Sequence, residues 1–196
     1  MATKSTLKRG FKSHAEKLAI EFREKLLLRA FDALCAFKLA EYLEVPVYSA
    51  TDFLTSQDDI DRLSGFGDND CGWSALTMPT LSGNRIIIHN PYHTSARQQS
   101  NVMHELAHII CKHERIEPNI GIPIPLGMRH FDEEQEDEAK CLGAVLQITR
   151  PGLLWAQNRN MTTAEIASHF NASHEMVSYR MHTSGVIKQM VYRKAK

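Results

Sequence analysis

No run of apolar residues in this chain approaches the ~20 needed for a membrane-spanning helix, so a helical span is not expected. No net charge is present either: Lys+Arg and Asp+Glu both number 23. That balance removes a global electrostatic pull toward nucleic acid or anionic lipid. The four cysteines, Cys35, Cys71, Cys111 and Cys141, form no CxxC pair, and they read as free thiols in a reducing cytoplasm. No secretory pattern opens the sequence, since its first thirty residues mix charged and apolar side chains at helical spacing. Internal repeats and low-complexity segments are absent as well.

What is present is ordinary globular material. The 196 residues, 43% hydrophobic and 23% charged, can build one domain with a sizeable core, or a domain with a small appendage. Charge is unevenly placed. Lys4, Lys8, Arg9 and Lys12 lie near the start, Lys188, Arg193, Lys194 and Lys196 near the end, and an acidic run, DEEQEDE, fills 132–138. Histidine is abundant, with ten residues.

Periodicity gives a helix across SHAEKLAIEFREKLLLRAF, then a second, ALCAFKLAEYL, with Asp32 as its cap. VPVYS reads as an edge strand beside Pro46, and 51–72 as a long surface loop with at most one helical turn. WSALTMPTLSGNRIIIHN has the alternation and turn chemistry of a hairpin. A helix capped by Thr94 or Ser95 follows, through ARQQSNVMHELAHIICKH. Residues 114–131 are a Pro- and Gly-bearing loop, and the acidic run opens another helix, EEQEDEAKCLGAVLQI. Pro151 suits a first helical turn, and TAEIASHF and SHEMVSYRMHTS are two short helices. The class is α+β, with a small antiparallel sheet between helices.

The chemistry concentrates in HELAH. His104 and His108, four apart on a helix, present two imidazoles on one face, one turn apart. Glu105, next to His104, points beside a metal held there, where a carboxylate can take a proton from water. Zinc in a catalytic site needs a third protein ligand and an open position. If 132–147 is a helix, Glu136, Ala139, Lys140 and Gly143 share a face, and the two small residues allow close helix packing. Glu136 is therefore the expected third ligand, with Glu138 as the alternative. Tyr92, His93, Arg97, Tyr179 and Arg180 are candidate donors to a developing oxyanion. The RIIIHN strand, placed at a sheet edge, could pair with substrate backbone. His89 and His93 read as surface or supporting groups, and His113 as a cation at a helix end.

The chain from GFKSHAEKLA onward resembles the ImmA/IrrE family of zinc metallopeptidases. The likeness is carried by RGFKSHAEKLA, WSALT, RIIIHNPYHTSARQQSNVMHELAHIICKH, EDEAKCLGAVLQI and FNASHEMVSYRMHTSGV. It implies a small zincin-like metallopeptidase domain over 1–157 and a helical, helix-turn-helix-like segment over 158–196. It also implies one Zn2+ per chain held by His104, His108 and Glu136, with Glu105 as general base. The implied substrate is a helix-turn-helix repressor or an antitoxin, met in the cytoplasm and away from membrane. Many relatives carry Asp or Asn where this chain has Lys140, so the partner of one ligand histidine is left unassigned. Ala167, Asn171 and Val177 fall where a helix-turn-helix needs a small, a turn and a core residue. The segment is only weakly basic, which favours protein contact over direct DNA reading. The rival functional class is a non-proteolytic, metal-stabilised regulator that binds a repressor or DNA through those helices.

Overall fold

A computed structural model describes residues 7–65, 72–114 and 132–189. The loop expected over 114–131 falls almost wholly outside the described residues, as do Cys71, Lys4 and the basic tail beyond residue 189.

Helix α1 (Phe11–Lys25) buries Ala15, Ala19 and Phe22, the stripe its spacing encodes. Helix α2 (Ala36–Tyr42) is not capped by Asp32: Cys35 holds the cap position and supplies no side-chain bond. Asp32 instead folds back onto the Arg29 backbone N–H at 2.8 Å and onto its guanidinium. The first amide of α2 is satisfied from a distant part of the chain, donating from Ala36 N to Gln99 Oε1 at 2.6 Å.

Strand β1 (Val47–Ser49) leads into a 3-10 turn (Ala50–Phe53) and helix α3 (Gln57–Ser64). The segment expected as a loop thus carries two full turns of helix, started by acidic Asp58 and Asp59 at the positive end of the helix dipole. Strands β2 (Ala75–Pro79) and β3 (Arg85–His89) form the expected antiparallel hairpin.

The sheet as a whole corrects two expectations. Its order is β1-β3-β2, and β1 runs parallel to β3, so the sheet is mixed. Parallel neighbours need a long crossover, and the chain between Ser49 and Arg85 supplies one through α3 and β2. The RIIIH strand is therefore central, with Ile87 opposite Val47 on one side and Thr77 on the other. Its backbone is already paired, so the edge open to an added strand belongs to β1 or β2 among the described residues.

Helix α4 (Ser95–Ile110) starts at Thr94, whose hydroxyl accepts from Arg97 N. Helix α5 (Glu133–Gln147) starts at Asp132, which accepts from Gln135 N. These two helices pack with α1, α2 and Ile87 into the first core, whose centre holds Val102, Met103, Leu106, Leu142 and Leu146. Arg23 is fully buried there. Its guanidinium donates to the Leu146 carbonyl at 2.9 Å, meeting a C-terminal acceptor of α5. A second core joins α6 (Arg150–Gln157), α7 (Thr163–Phe170) and α8 (His174–Thr183) around Leu153, Ile166, Phe170 and Val177. No described helix is long and apolar enough to cross a membrane.

Candidate metal centre

Helix α4 sends Val102, Met103, Leu106 and Ala107 into the core, which turns His104 and His108 toward α5. His104 Nε2 and His108 Nε2 stand 3.1 Å apart. Glu136, in the first turn of α5, completes the cluster: Oε2 is 3.3 Å from His104 Nε2 and Oε1 is 3.5 Å from His108 Nε2. The approach is possible because Gly143 has no side chain. A Cβ there would meet the Cα and N of His104 and the carbonyl oxygen of Met103, each at 3.2 Å. Hydrogen bonding from His104 holds the Glu136 carboxyl below the ordinary carboxylate range, against its partial burial, and the His108 and His113 imidazoles add to the effect.

The donor set fits a zinc ion. Tetrahedral ligands at zinc bond lengths of ~2.0–2.2 Å stand roughly 3.3–3.6 Å from one another. The three separations here, 3.1, 3.3 and 3.5 Å, are already close to that. His108 is buried, while His104 and Glu136 keep about a third and a half of their side chains exposed. The cluster is therefore anchored on the core side and open on the other.

Glu105 follows His104 in α4 and is nearly buried, and its Oε2 accepts a 2.6 Å hydrogen bond from Thr77 Oγ1 on β2. Sequence reasoning did not find Thr77, because the β2–α4 packing that joins the two residues leaves no mark in local spacing.

Glu138 belongs to a different group. Its Oε2 is 3.1 Å from His113 Nε2, and His113 Nδ1 is 2.9 Å from His108 Nδ1. Cys111 is close by, and Cys111, His113 and Glu138 have donor atoms within 4.8 Å of one another. Burial, with the Glu138 carboxylate and Cys141 adding to it, pushes the Cys111 thiol up to about 11, so it is neutral at pH 7. His113, just past the end of α4, is a buried side chain folded back on the helix.

The remaining candidates separate. Arg180 is buried and donates to the Ile148 carbonyl and to Glu16, so it is a structural clamp and not an oxyanion donor. Tyr179 lines a cavity of about 240 Å³ with Lys12, Glu16, Cys141 and Arg180. Arg97 reaches Ser74 at 3.5 Å. It sits seven residues before His104, roughly 10 Å along the helix axis. His93 contacts Asn101 at 3.3 Å, and Tyr92 is half-exposed. His89 is buried edge-on against Phe37 and is neither a surface group nor part of the cluster; burial lowers its pKa.

A family model, Peptidase M78, described as the IrrE N-terminal-like domain, matches residues 66–182. The chain belongs to that family. The match runs from before β2 into the last turn of α8 and takes in HELAH and Glu136. Membership makes this a metallopeptidase-type domain and implies a metal, for which the His104, His108 and Glu136 donors are suited. No curated protein and no solved structure matches the chain.

Proposed function

We propose that the protein is a zinc-dependent endopeptidase that cuts a regulatory protein, a helix-turn-helix repressor or an antitoxin. The observation that carries the reading is the convergence of two imidazole nitrogens and a carboxylate at ligand spacing, with Glu105 the next residue after the first of those histidines on the same helix. His104, His108 and Glu136 would hold one zinc per chain. When bound, the ion acts as a Lewis acid that polarises the scissile carbonyl and acidifies water.

The remaining work falls to the chain. Glu105 takes a proton from the attacking water at a carboxylate oxygen and passes it to the leaving amine. Thr77 keeps that carboxylate aimed by donating to Oε2. The buried flank formed by Met103, Leu106 and Ala107 fixes the rotation of α4, and with it the bearing of both imidazoles. The C-terminal helices serve in this reading to choose the protein substrate. Support comes from α8, whose exposed positions His174, Glu175, Ser178 and His182 include no lysine or arginine. Direct base reading needs several donors backed by phosphate contacts.

The test is Glu105→Gln in the full-length chain, co-expressed with the product of the neighbouring gene. The variant should keep its zinc and its fold and lose nearly all cleavage of the partner. A partner bound tightly by wild type and variant alike, yet cut by neither, would favour the non-proteolytic regulator.

A further inference from the structure

The way α4 ends sets His113 against His108, on the side of the ring away from His104 and Glu136. Lys112 adopts the left-handed conformation, with φ 57°. His113 N donates to the His108 carbonyl at 3.0 Å, and Lys112 N donates to the Ile109 carbonyl at 3.1 Å. These are the two bonds of a Schellman turn, here without the usual glycine. The turn reverses the chain, so His113 lies back along the helix with Nδ1 2.9 Å from His108 Nδ1. Helix α5 then brings Glu138 to the far side of the ring, 3.1 Å from Nε2.

We infer that His113 and Glu138 are a positioning pair, which holds His108 in the tautomer that presents its Nε2 lone pair to the metal cluster. This rests on the metal-site reading above. The direction of the chain of bonds follows from what each group can do. A carboxylate only accepts, so the bond to Glu138 requires the proton of His113 on Nε2. With the single proton of an imidazole on Nε2, His113 accepts at Nδ1, and in that arrangement His108 Nδ1 is the donor. That leaves a lone pair on His108 Nε2, the atom facing His104 Nε2 and Glu136 Oε1 at 3.1 and 3.5 Å. Metal-binding imidazoles generally need such a partner on the other nitrogen, commonly a carboxylate or carbonyl. Here a histidine stands between the ligand and the carboxylate. Lys140 is not that partner: its ammonium lies over the Tyr179 ring, 5.9 Å from the centroid. Lys8 stands 3.8 Å from Glu138 Oε1, so the relay ends on a carboxylate with a cation at its back.

The pair predicts a tautomer as well as an affinity. Nitrogen-15 correlation spectra of the histidine side chains in the zinc-free, full-length protein should show His108 protonated at Nδ1. Glu138→Gln, whose amide can accept or donate, should yield a mixture of tautomers. Zinc affinity, read by competition with a chromophoric chelator, should fall about 10–100-fold in His113→Ala. His113→Asn can put an amide oxygen near the lost Nδ1 and should recover most of that loss. Should His113→Ala fail to fold by circular dichroism, Glu138→Gln and His113→Asn decide the matter. An unchanged His108 tautomer and unchanged affinity in Glu138→Gln would overturn the pair. So would a second zinc equivalent lost in Cys111→Ser, since Cys111, His113 and Glu138 would then be ligands themselves. His104→Ala is measured alongside. Full zinc binding by that variant would sink the metal site itself, and a loss there with normal His113 and Glu138 variants would sink the positioning pair alone.

Discussion

Glu105 takes a hydrogen bond from a strand, not from its own helix, and that makes Thr77 a test of how the carboxylate is held. Thr77→Val keeps the shape and removes the donor from a nearly buried acceptor. A hydrogen bond to a charged group contributes ~1.5–3 kcal/mol. Chemical denaturation should therefore show a loss of about that size for Thr77→Val, with Thr77→Ser close to wild type and zinc content unchanged in both. Equal losses in the valine and serine variants would assign Thr77's contribution to packing. At this scale the candidate site was legible in the sequence wherever its grouping rides on one helix's spacing. His104, Glu105 and His108 follow from i, i+1 and i+4, and Glu136 from its place on a face with Ala139 and Gly143. His113 was hidden because its role depends on a left-handed residue at Lys112. Glycine at that position would have advertised the turn; lysine does not.

Between elements, the closest approach is α4 against α5 at Gly143. Alanine in a helix ordinarily gains ~0.5–1 kcal/mol over glycine. Here its methyl would press on backbone atoms of Met103 and His104, which cannot rotate away. Overpacking of this kind costs ~1–3 kcal/mol, so Gly143→Ala should lower stability on balance. It should also weaken zinc binding, because the displaced backbone belongs to His104. A melting curve and a chelator competition check both. An unchanged affinity would mean that the helices slide without moving the donors. The small residues needed for this contact could be read from sequence, and so could the hairpin, whose turn and alternation are local. The central place of β3 could not, since it depends on a parallel partner from before α3. The two turns of α3 escaped notice for another reason: Gln57–Ser64 is polar and offers few apolar residues to reveal a period.

At the scale of the whole molecule, the described residues build two apolar cores, and buried arginines stitch across the elements that carry them. Arg23 ties α1 to the end of α5, while Arg180 ties α8 to the Ile148 carbonyl and to Glu16 on α1. Glu16 also accepts from Arg150 N at 2.9 Å, so one carboxylate joins α1, α6 and α8. Removing one partner of a buried ion pair is strongly destabilising, ~3–5 kcal/mol, because the other charge loses its compensation. Arg180 is almost wholly buried but Glu16 is partly exposed, which puts Arg180→Ala toward the lower end, about 3 kcal/mol. The damage should fall on the second core and its seam with α1 and spare metal binding at the proposed site, since His104, His108 and Glu136 lie on α4 and α5. Hydrogen exchange resolved by segment should show α7 and α8 opening first, and uniform opening across α4 and α5 would contradict two separable cores. The same burial bears on nucleic acid. Loss of DNA binding in Arg180→Ala would report a loosened helix and not a lost base contact. Contact with DNA is better tested at His182 and Lys188, which are exposed on and just beyond α8. If the helices serve a protein partner, alanine at both should leave DNA affinity weak, indifferent to sequence and steeply salt-dependent. A sequence-specific complex abolished by those two changes would move the C-terminal helices into the DNA-reading class.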